Sequence, residues 1–154
     1  MRYVCDTVVF ITGFVGQLKG ELITTPEVEK EIKSSTARCF FELAKGKGLK
    51  VLPASKDFLK YVRKKTIESG DIIALSETDI SLLAKALETK AVLVSDDFDL
   101  QNVCLKLGVK FMPVLRSVKK RRDWVYKCPA CKRVIKIKNG KMICPVCGTI
   151  LTTS

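Results

Sequence analysis

The sequence feature that most constrains the fold is the stretch from Ala91 to Leu100, AVLVSDDFDL, in which a short apolar run ends in carboxylates. Four successive apolar residues are typical of a short strand that is buried on both faces. The acids Asp96, Asp97 and Asp99 follow at the carboxyl end of this run. In open α/β sheets, ligands bind just beyond the carboxyl ends of parallel strands. The stretch therefore predicts a parallel sheet with an acidic site at one edge.

Three further acids have comparable positions. Asp6 directly follows the predicted short strand RYVC, and Asp79 lies at the start of a predicted helix within LSETDISLL. Glu31 lies beside the apolar face of a helix that Thr25 and Pro26 are predicted to begin. Crowded carboxylates repel one another unless a cation lies between them. The acids together therefore predict a metal site.

Short apolar strands alternate with helical patterns over the first 113 residues. The predicted strands are 2–5, 49–52, 91–94 and 109–112, with 91–94 as the central strand. The predicted helices are 8–18, 26–32, 37–44, 56–69, 77–87 and 98–107. This alternation predicts an α/β domain whose parallel sheet is covered on both faces.

Each acid also has a purely structural interpretation. Asp79 lies three residues after Ser76 and could complete a capping box. Asp96 or Asp97 could cap the helix that follows them. Glu31 could be an ordinary solvated residue, and its rivals for a place in the site are Glu27, Glu29 and Glu42. Taken together, however, the acids fall at one end of the predicted sheet, which favours a common site.

The chemistry of such a site is that of a hard divalent cation. Mg²⁺ and Mn²⁺ prefer oxygen ligands, and one or two such ions can activate a water and neutralise a leaving oxygen. The chain contains no histidine, which excludes histidine-based catalysis. Cys5, Cys39 and Cys104 lie in apolar sequence surroundings, so we interpret them as inert buried thiols.

Two CxxC motifs lie near the C-terminus and are separated by 12 residues. Four thiolates at this spacing predict a closed tetrahedral Zn²⁺ site, and a pair of disulfides is the weaker alternative in a cytosolic chain. The segment between the motifs predicts a hairpin with Asn139 and Gly140 at its turn. A module of about 30 residues buries too little surface to fold alone, so the metal is expected to supply much of its folding free energy. The predicted zinc ligands are Cys128, Cys131, Cys144 and Cys147.

Most of the excess positive charge lies in the C-terminal quarter. Residues 116–154 carry 11 of the 28 Lys and Arg residues and one of the 16 acids, and so +10 of the net charge of +12. A basic segment of this kind predicts contacts with phosphate backbones, and a solubilising tail is the alternative. The candidate RNA-binding residues are Lys119, Lys120, Arg121, Arg122, Lys132, Arg133, Lys136 and Lys138.

These patterns divide the chain into an α/β domain at 1–113, a basic linker at 114–123 and a small all-β zinc ribbon at 124–154. The apolar run near the start is too short to span a bilayer. Asp6 falls where a signal peptide needs uninterrupted apolar residues. We therefore expect a cytoplasmic protein with no membrane partner and no small-molecule organic cofactor.

Four motifs, taken in order, resemble a PIN domain. They are VCDT at 4–7, VEKEI at 28–32, LSETDISLLAKAL at 75–87 and LVSDDFDLQNV at 93–103. PIN domains are similar in fold to the nuclease half of flap endonucleases, and many are metal-dependent ribonucleases. The resemblance implies a three-layer parallel-sheet nuclease domain over about the first 110 residues.

The resemblance also implies which acids do the chemistry. Asp6, Glu31, Asp79 and Asp96 would form the catalytic site, with Asp97 close by and Asp99 as a further candidate. Asp6, Asp79 and Asp96 would hold Mn²⁺ or Mg²⁺. The choice between Asp96 and Asp97 as the principal ligand stays open.

A PIN-like domain followed by a zinc ribbon, with the stretches SDDFDLQNV and RRDWVYKCPAC, resembles the archaeal form of the Nin-one-binding protein family. That family cuts precursor small-subunit ribosomal RNA at its mature 3′ end. The resemblance implies a single-stranded ribosomal RNA precursor as substrate and the pre-ribosomal small subunit as partner. Two rival functions are a toxin-type PIN ribonuclease and a non-catalytic RNA-binding assembly factor.

Overall fold

The computed structural model describes residues 1–115, 125–136 and 143–151. Within these ranges the chain forms a five-stranded sheet with α-helices around it, and a separate two-stranded sheet. The strands of the larger sheet are β1 Arg2–Cys5, β2 Glu21–Thr24, β3 Lys50–Val51, β4 Val92–Val94 and β5 Phe111–Met112. The α-helices are α1 Thr7–Ile11, α2 Pro26–Glu31, α3 Ser35–Gly46, α4 Lys56–Ser69, α5 Glu77–Thr89 and α6 Phe98–Leu107.

The larger sheet is parallel throughout, and its strand order is β3-β2-β1-β4-β5. β1 is therefore the central strand, and the prediction that 91–94 occupies the centre is wrong by one place. β4 lies directly beside β1, and the register pairs Cys5 with Val94. The two strands therefore end level, which brings the residues that follow them to the same edge of the sheet.

Both faces of the sheet are covered, as the sequence predicts for an α/β domain. Tyr3, Val4 and Cys5 are all buried, although successive side chains of a strand point to opposite faces. Phe10 of α1 and Phe41 of α3 are fully buried and meet edge to face, with ring centroids 5.1 Å apart. The sheet domain therefore has its own apolar core.

The predicted helix starts are confirmed where polar caps carry the signal. Ser55 begins α4, Ser76 begins α5 and Asp97 begins α6, and each side chain accepts a hydrogen bond from a backbone N–H of the first turn. Such caps satisfy N–H groups that have no partner within the helix. Pro26 occupies the start of α2 directly after Thr25, as predicted, but the Thr25 hydroxyl makes no capping hydrogen bond and contacts the Ser81 hydroxyl instead.

Two elements differ from the sequence-based expectation. Residues 8–18, predicted as a helix or helix-like turn that Gly13 and Gly16 loosen, are divided into α1 and a 3₁₀ helix, Phe14–Gln17. Gly13 between them has a φ of 71°, and a Cβ added there would lie 2.8 Å from the Phe40 ring. The sequence does not predict β2, because its apolar residues, Leu22 and Ile23, are too few to show a period.

Cys39 corrects one further expectation. Cys5 and Cys104 are buried as predicted, but Cys39 is exposed. The buried face of α3 is formed by Ala37, Phe41 and Ala44, which recur at helical spacing. Cys39 lies off that face, so its apolar sequence neighbours do not bury it.

The C-terminal module is all-β in its described part. Strand β6 Val125–Lys127 pairs antiparallel with β7 Val134–Lys136, and Ile143 forms a bridge with Ile150. The predicted turn at 139–140 and most of the predicted linker lie outside the described residues, so the domain boundaries stay predictions. No helix in the described ranges is both long enough and apolar enough to cross a membrane.

Candidate active site

Asp6 lies at the carboxyl end of the central strand. Its backbone N–H donates to the carbonyl oxygen of Val94 at 3.1 Å, which continues the β1–β4 pairing. Its Oδ1 accepts from the backbone N–H of Thr7 at 2.6 Å, and its Oδ2 accepts from the Ser95 hydroxyl at 2.6 Å. Both carboxylate oxygens of Asp6 are thus held at the edge of the sheet.

Asp97 is tied to the same edge through Ser95. The Asp97 backbone N–H donates to Ser95 Oγ at 3.1 Å. Asp97 Oδ1 caps α6 by accepting from the backbone N–H groups of Asp99 at 2.8 Å and Leu100 at 3.1 Å. The helix-capping interpretation of Asp97 is therefore confirmed. The cap also fixes the carboxylate beside Asp6.

Asp79 approaches from the start of α5. The predicted capping box is present, because Asp79 Oδ2 accepts from the Ser76 backbone N–H at 2.9 Å and Ser76 Oγ accepts from the Asp79 N–H at 3.1 Å. The box orients the carboxylate, so the structural role of Asp79 is compatible with a chemical one.

Glu31 is held by two hydroxyl donors. The Thr78 hydroxyl donates to Glu31 Oε1 at 2.6 Å, and the Thr7 hydroxyl donates to Oε2 at 3.1 Å. Thr7 directly follows Asp6, and Thr78 directly precedes Asp79. These two threonines therefore tie Glu31 to the sequence neighbours of Asp6 and Asp79, and its charge acts on Asp6.

Two of these carboxyl groups, Asp6 and Asp79, have raised pKa values. Burial raises the pKa of Asp6, and the charges of Asp97 and Glu31 raise it further against the hydrogen bonds that lower it. Burial also raises the pKa of Asp79 to about 6, with a further contribution from Asp97 and Asp6. Oxygen donors that repel one another in this way are the ligand set that a hard divalent cation suits.

Without added divalent cation, stability is expected to fall as pH rises from about 4 to about 7. The Asp79 pKa of about 6 in the folded protein exceeds its usual 3.8, so the folded state keeps a proton that the unfolded state has already lost. Asp79→Asn should reduce this dependence, to which the raised pKa of Asp6 also contributes, and should raise the free energy of unfolding at pH 7 by about 1–3 kcal/mol.

The measurement is urea unfolding of the sheet domain between pH 4 and pH 7. Asn keeps the side-chain oxygen that the capping box uses, so the helix start is preserved. Asp57→Asn, at an exposed position in the first turn of α4, is the matched control and should leave the pH dependence unchanged. Equal slopes for the wild type and Asp79→Asn would contradict the assignment.

Asp96 makes different contacts from its neighbour. Its Oδ1 accepts from the backbone N–H groups of Val114 at 2.7 Å and Leu115 at 2.8 Å. The sequence-based assignment of Asp96 as a metal ligand stays a prediction. Asp97 interacts electrostatically with Asp6 and Asp79, which favours Asp97 of the two.

Two supporting side chains are not predicted from the sequence. Thr78 is buried and bonded to Glu31, and the Ser81 hydroxyl in turn donates to the Thr78 carbonyl at 2.7 Å. Gln101 is fully buried, and its Nε2 donates to the Ser95 carbonyl at 2.6 Å. For Gln101 the one available signal is weak: it is a polar residue one turn into α6, the helix that follows β4.

The four predicted zinc ligands come together in the C-terminal module. Their Sγ atoms all lie within 4.8 Å of one another, with Cys128 and Cys147 at 3.6 Å and Cys131 and Cys144 at 3.7 Å. A disulfide would need about 2.0 Å, so these cysteines are unpaired. Four thiolates about 2.3 Å from a tetrahedral zinc ion lie about 3.8 Å apart. The cluster therefore fits a structural metal site.

The predicted RNA-binding residues are described only in part. Lys132 and Arg133 are exposed beside the cysteine cluster. The residues outside the described ranges are Lys119, Lys120, Arg121, Arg122 and Lys138, and the side chain of Lys136 is likewise not described. Their role stays a prediction.

Comparison with known proteins finds similarity to ribonucleases. A family model described as the PIN domain of ribonuclease matches residues 3–89, which include Asp6, Glu31 and Asp79. The chain is 40% identical over 151 residues to Endoribonuclease Nob1 of Pyrococcus abyssi, an alignment that covers 97% of this chain and 91% of the relative. It is 38% identical over 134 residues to Endoribonuclease Nob1 of Archaeoglobus fulgidus, covering 83% and 76%.

A relative with another name is also similar. The chain is 32% identical over 149 residues to Ribonuclease VapC1 of Thermoplasma acidophilum, covering 96% of this chain and 75% of the relative. All these matches are to ribonucleases, and the parallel sheet with its helices is consistent with the α/β fold of a PIN domain. The chain therefore belongs to the family of PIN-domain ribonucleases that includes the archaeal Nob1 endoribonucleases.

Proposed function

We propose that this protein is a metal-dependent endoribonuclease that cuts single-stranded precursor small-subunit ribosomal RNA at its 3′ end. The observation that carries the proposal is one chain with both a four-carboxylate edge and a four-cysteine module, similar to Nob1 proteins over 97% of its length. The cut would occur in the cytoplasm during ribosome assembly, with the pre-ribosomal small subunit as partner.

The carboxylate edge is the proposed site of Mn²⁺ or Mg²⁺. Asp6, Asp79 and Asp97 would hold the cation, and Glu31, fixed by its two threonine donors, would complete the ligand set. A divalent cation supplies activation of the attacking water and charge neutralisation at the scissile phosphate. The chain itself supplies the orientation of the carboxylates, through Ser95 for Asp6 and through helix caps for Asp79 and Asp97.

The cysteine module is the proposed site of one structural Zn²⁺. Cys128 and Cys144 are buried, and Leu151 packs with them as the third buried residue of a very small core. Such a core cannot account for independent folding, so the metal is expected to provide most of the folding free energy.

The test is a cleavage assay on a 3′-extended fragment of precursor small-subunit ribosomal RNA, with and without Mn²⁺. The proposal predicts one main cut at the mature 3′ end, and only with a divalent cation present. An unrelated single-stranded RNA of equal length is the control substrate. Absence of cutting under all divalent cations, with RNA binding retained, would favour the non-catalytic assembly factor instead.

A toxin-type ribonuclease is the second candidate, since the similarity to Ribonuclease VapC1 extends over 96% of the chain. The same assay separates the two functions. A toxin-type enzyme would cut an RNA outside the ribosomal precursor at a comparable or higher rate. Such a result would be compatible with the proposed metal site, but it would contradict the ribosomal precursor as the main substrate.

Removal of residues 116–154 is expected to weaken RNA binding and flatten its salt dependence. Residues 1–115 carry 17 basic and 15 acidic residues, so nearly all the excess positive charge is deleted. The slope of log K against log[salt] is about −0.7 for each phosphate neutralised on a single strand. Some metal-dependent cleavage should persist at high enzyme concentration.

The measurement is RNA affinity against salt for the full chain and for 1–115. Replacement of the exposed Lys60 and Lys64 by Ala in the full chain is the control, because it removes positive charge from α4 alone. An unchanged affinity and slope in 1–115 would place the RNA track on the sheet domain. The C-terminal module would then be a better candidate for docking to a ribosomal protein.

A further inference from the structure

The loop after β4 has three successive side chains with three different partners. The Ser95 hydroxyl donates a hydrogen bond to Asp6 and accepts one from the backbone N–H of Asp97. The Asp97 side chain caps α6. Asp96 Oδ1 accepts hydrogen bonds from the backbone N–H groups of Val114 and Leu115. One tripeptide therefore joins the carboxylate site to a segment 18–19 residues further along the chain.

These contacts extend the sheet beyond its last regular pairing. The Ser95 backbone N–H donates to the Met112 carbonyl at 3.2 Å, as the final bond of the β4–β5 ladder. Directly after it, Asp96 Oδ1 takes over as acceptor for two successive N–H groups. Hydrogen bonds to an ionised acceptor are shorter and stronger than those between neutral groups. The residues after β5 are therefore held by the Asp96 side chain, beyond the point where backbone pairing between β4 and β5 ends.

The fastened segment is the point at which the chain leaves the sheet. Parallel strands end at one edge, so the exit after β5 lies at the same edge as Asp6 and Asp97. The nine residues that follow Leu115 have the sequence RSVKKRRDW, which contains five basic residues and one acid. Asp96 thus holds Val114 and Leu115, the last two described residues before this basic sequence, at the edge of the sheet that carries the acids.

We propose that Asp96 is a positioning residue that anchors the start of the basic segment beside the carboxylate site. It would thereby set the register in which an RNA strand bound by that segment reaches the acids. The statement about the RNA register rests on the proposed ribonuclease function, whereas the anchoring contact does not. The rival role is that of a metal ligand, as the PIN resemblance implied.

Asp96→Asn and Asp96→Ala separate the two roles. Asn keeps an oxygen that can accept both N–H groups, whereas Ala has no acceptor. A metal ligand loses its charge in both variants, so both would lose Mn²⁺ affinity together. If Asp96 is instead an anchor, its hydrogen bonds with Val114 and Leu115 are lost in Asp96→Ala and largely kept in Asp96→Asn. Asp97→Asn is the comparison for a lost ligand, and Asp57→Ala, an exposed acid near the start of α4, is the control.

The first measurement is amide hydrogen exchange of the full, zinc-loaded chain at Val114 and Leu115. Asp96→Ala should speed exchange at these two amides by about tenfold or more, because each loses a charged acceptor. Asp96→Asn should stay within about threefold of the wild type. Mn²⁺ affinity, followed by electron paramagnetic resonance, should be unchanged in both variants and lost in Asp97→Asn.

The second measurement is the cut pattern on the 3′-extended RNA at saturating RNA. Asp96→Ala should spread the cut over several positions and lower kcat about tenfold or more, because misplacement of a substrate is costly, while RNA affinity is kept. Asp96→Asn should restore the single cut. Loss of Mn²⁺ affinity in Asp96→Asn, or unchanged exchange and cut pattern in Asp96→Ala, would overturn the proposal. A wild-type chain that cuts no RNA would refute the proposed function, and the exchange result would still decide whether Asp96 anchors the exit.

Discussion

Asp97→Asn is expected to abolish metal-dependent RNA cleavage while the protein stays folded. Changes to groups that merely support a metal ligand already cost 10–100-fold in affinity or activity, so loss of a ligand charge should cost more than about a hundredfold. Asn is itself a good helix N-cap, and its oxygen can still accept from the Asp99 and Leu100 N–H groups that Asp97 serves. The variant therefore tests the loss of the Asp97 charge while the helix cap of α6 is retained.

Asp6→Asn should have an equal effect on cleavage. The pKa of Asp6 is raised by burial and by the charges of Asp97 and Glu31, so neutralising it should not destabilise the metal-free protein. The measurements are single-turnover cleavage with Mn²⁺, Mn²⁺ binding, and thermal unfolding of each variant. Asp57→Asn is the control for a neutralised acid outside the site. Cleavage at the wild-type rate in either site variant would show that the metal lies elsewhere.

Removal of zinc is expected to unfold the C-terminal module and leave the sheet domain intact. A structural zinc site of this type contributes roughly 10–16 kcal/mol of apparent binding free energy at neutral pH, which becomes folding free energy. The buried part of the module is limited to Cys128, Cys144 and Leu151 among the described residues. The sheet domain has a separate core around Val4, Phe41 and other fully buried side chains.

The measurement is amide NMR of the chelated protein and of Cys144→Ser. Peaks of the module should collapse to random-coil positions, and peaks of residues 1–115 should keep their dispersion. Cys39→Ser is the matched control, because Cys39 is an exposed thiol outside the cluster. A module that keeps its dispersed peaks without metal would refute the view that thiolate ligation supplies its folding free energy.

The sequence predicts the parts of the fold that rest on strong local signals. β1 and β4 are short apolar runs that end in acids, and the starts of α4 and α5 carry serine caps that the structure confirms. The CxxC spacing predicts the cysteine cluster in the same way. In each case the residues that carry the signal are adjacent or nearly adjacent in the chain.

The remaining features depend on contacts between distant residues. The different partners of Asp96 and Asp97 follow from the position of β5, because Val114 must lie beside β4 before Asp96 can bond to it. Thr78 supports Glu31 across 47 residues of sequence. No local pattern specifies such pairings, and the central place of β1 likewise follows from the pairing with β2, which has no clear sequence signal.

Anomalous X-ray diffraction from crystals grown with Mn²⁺ tests the central claim most directly. A manganese peak bounded by the carboxylates of Asp6, Asp79 and Asp97 is the predicted result, and a zinc peak within the cysteine cluster should appear at the zinc edge of the same crystals. A manganese peak at another position, or its absence from the carboxylate edge at saturating Mn²⁺, would contradict the claim that these acids form the metal site of a ribonuclease.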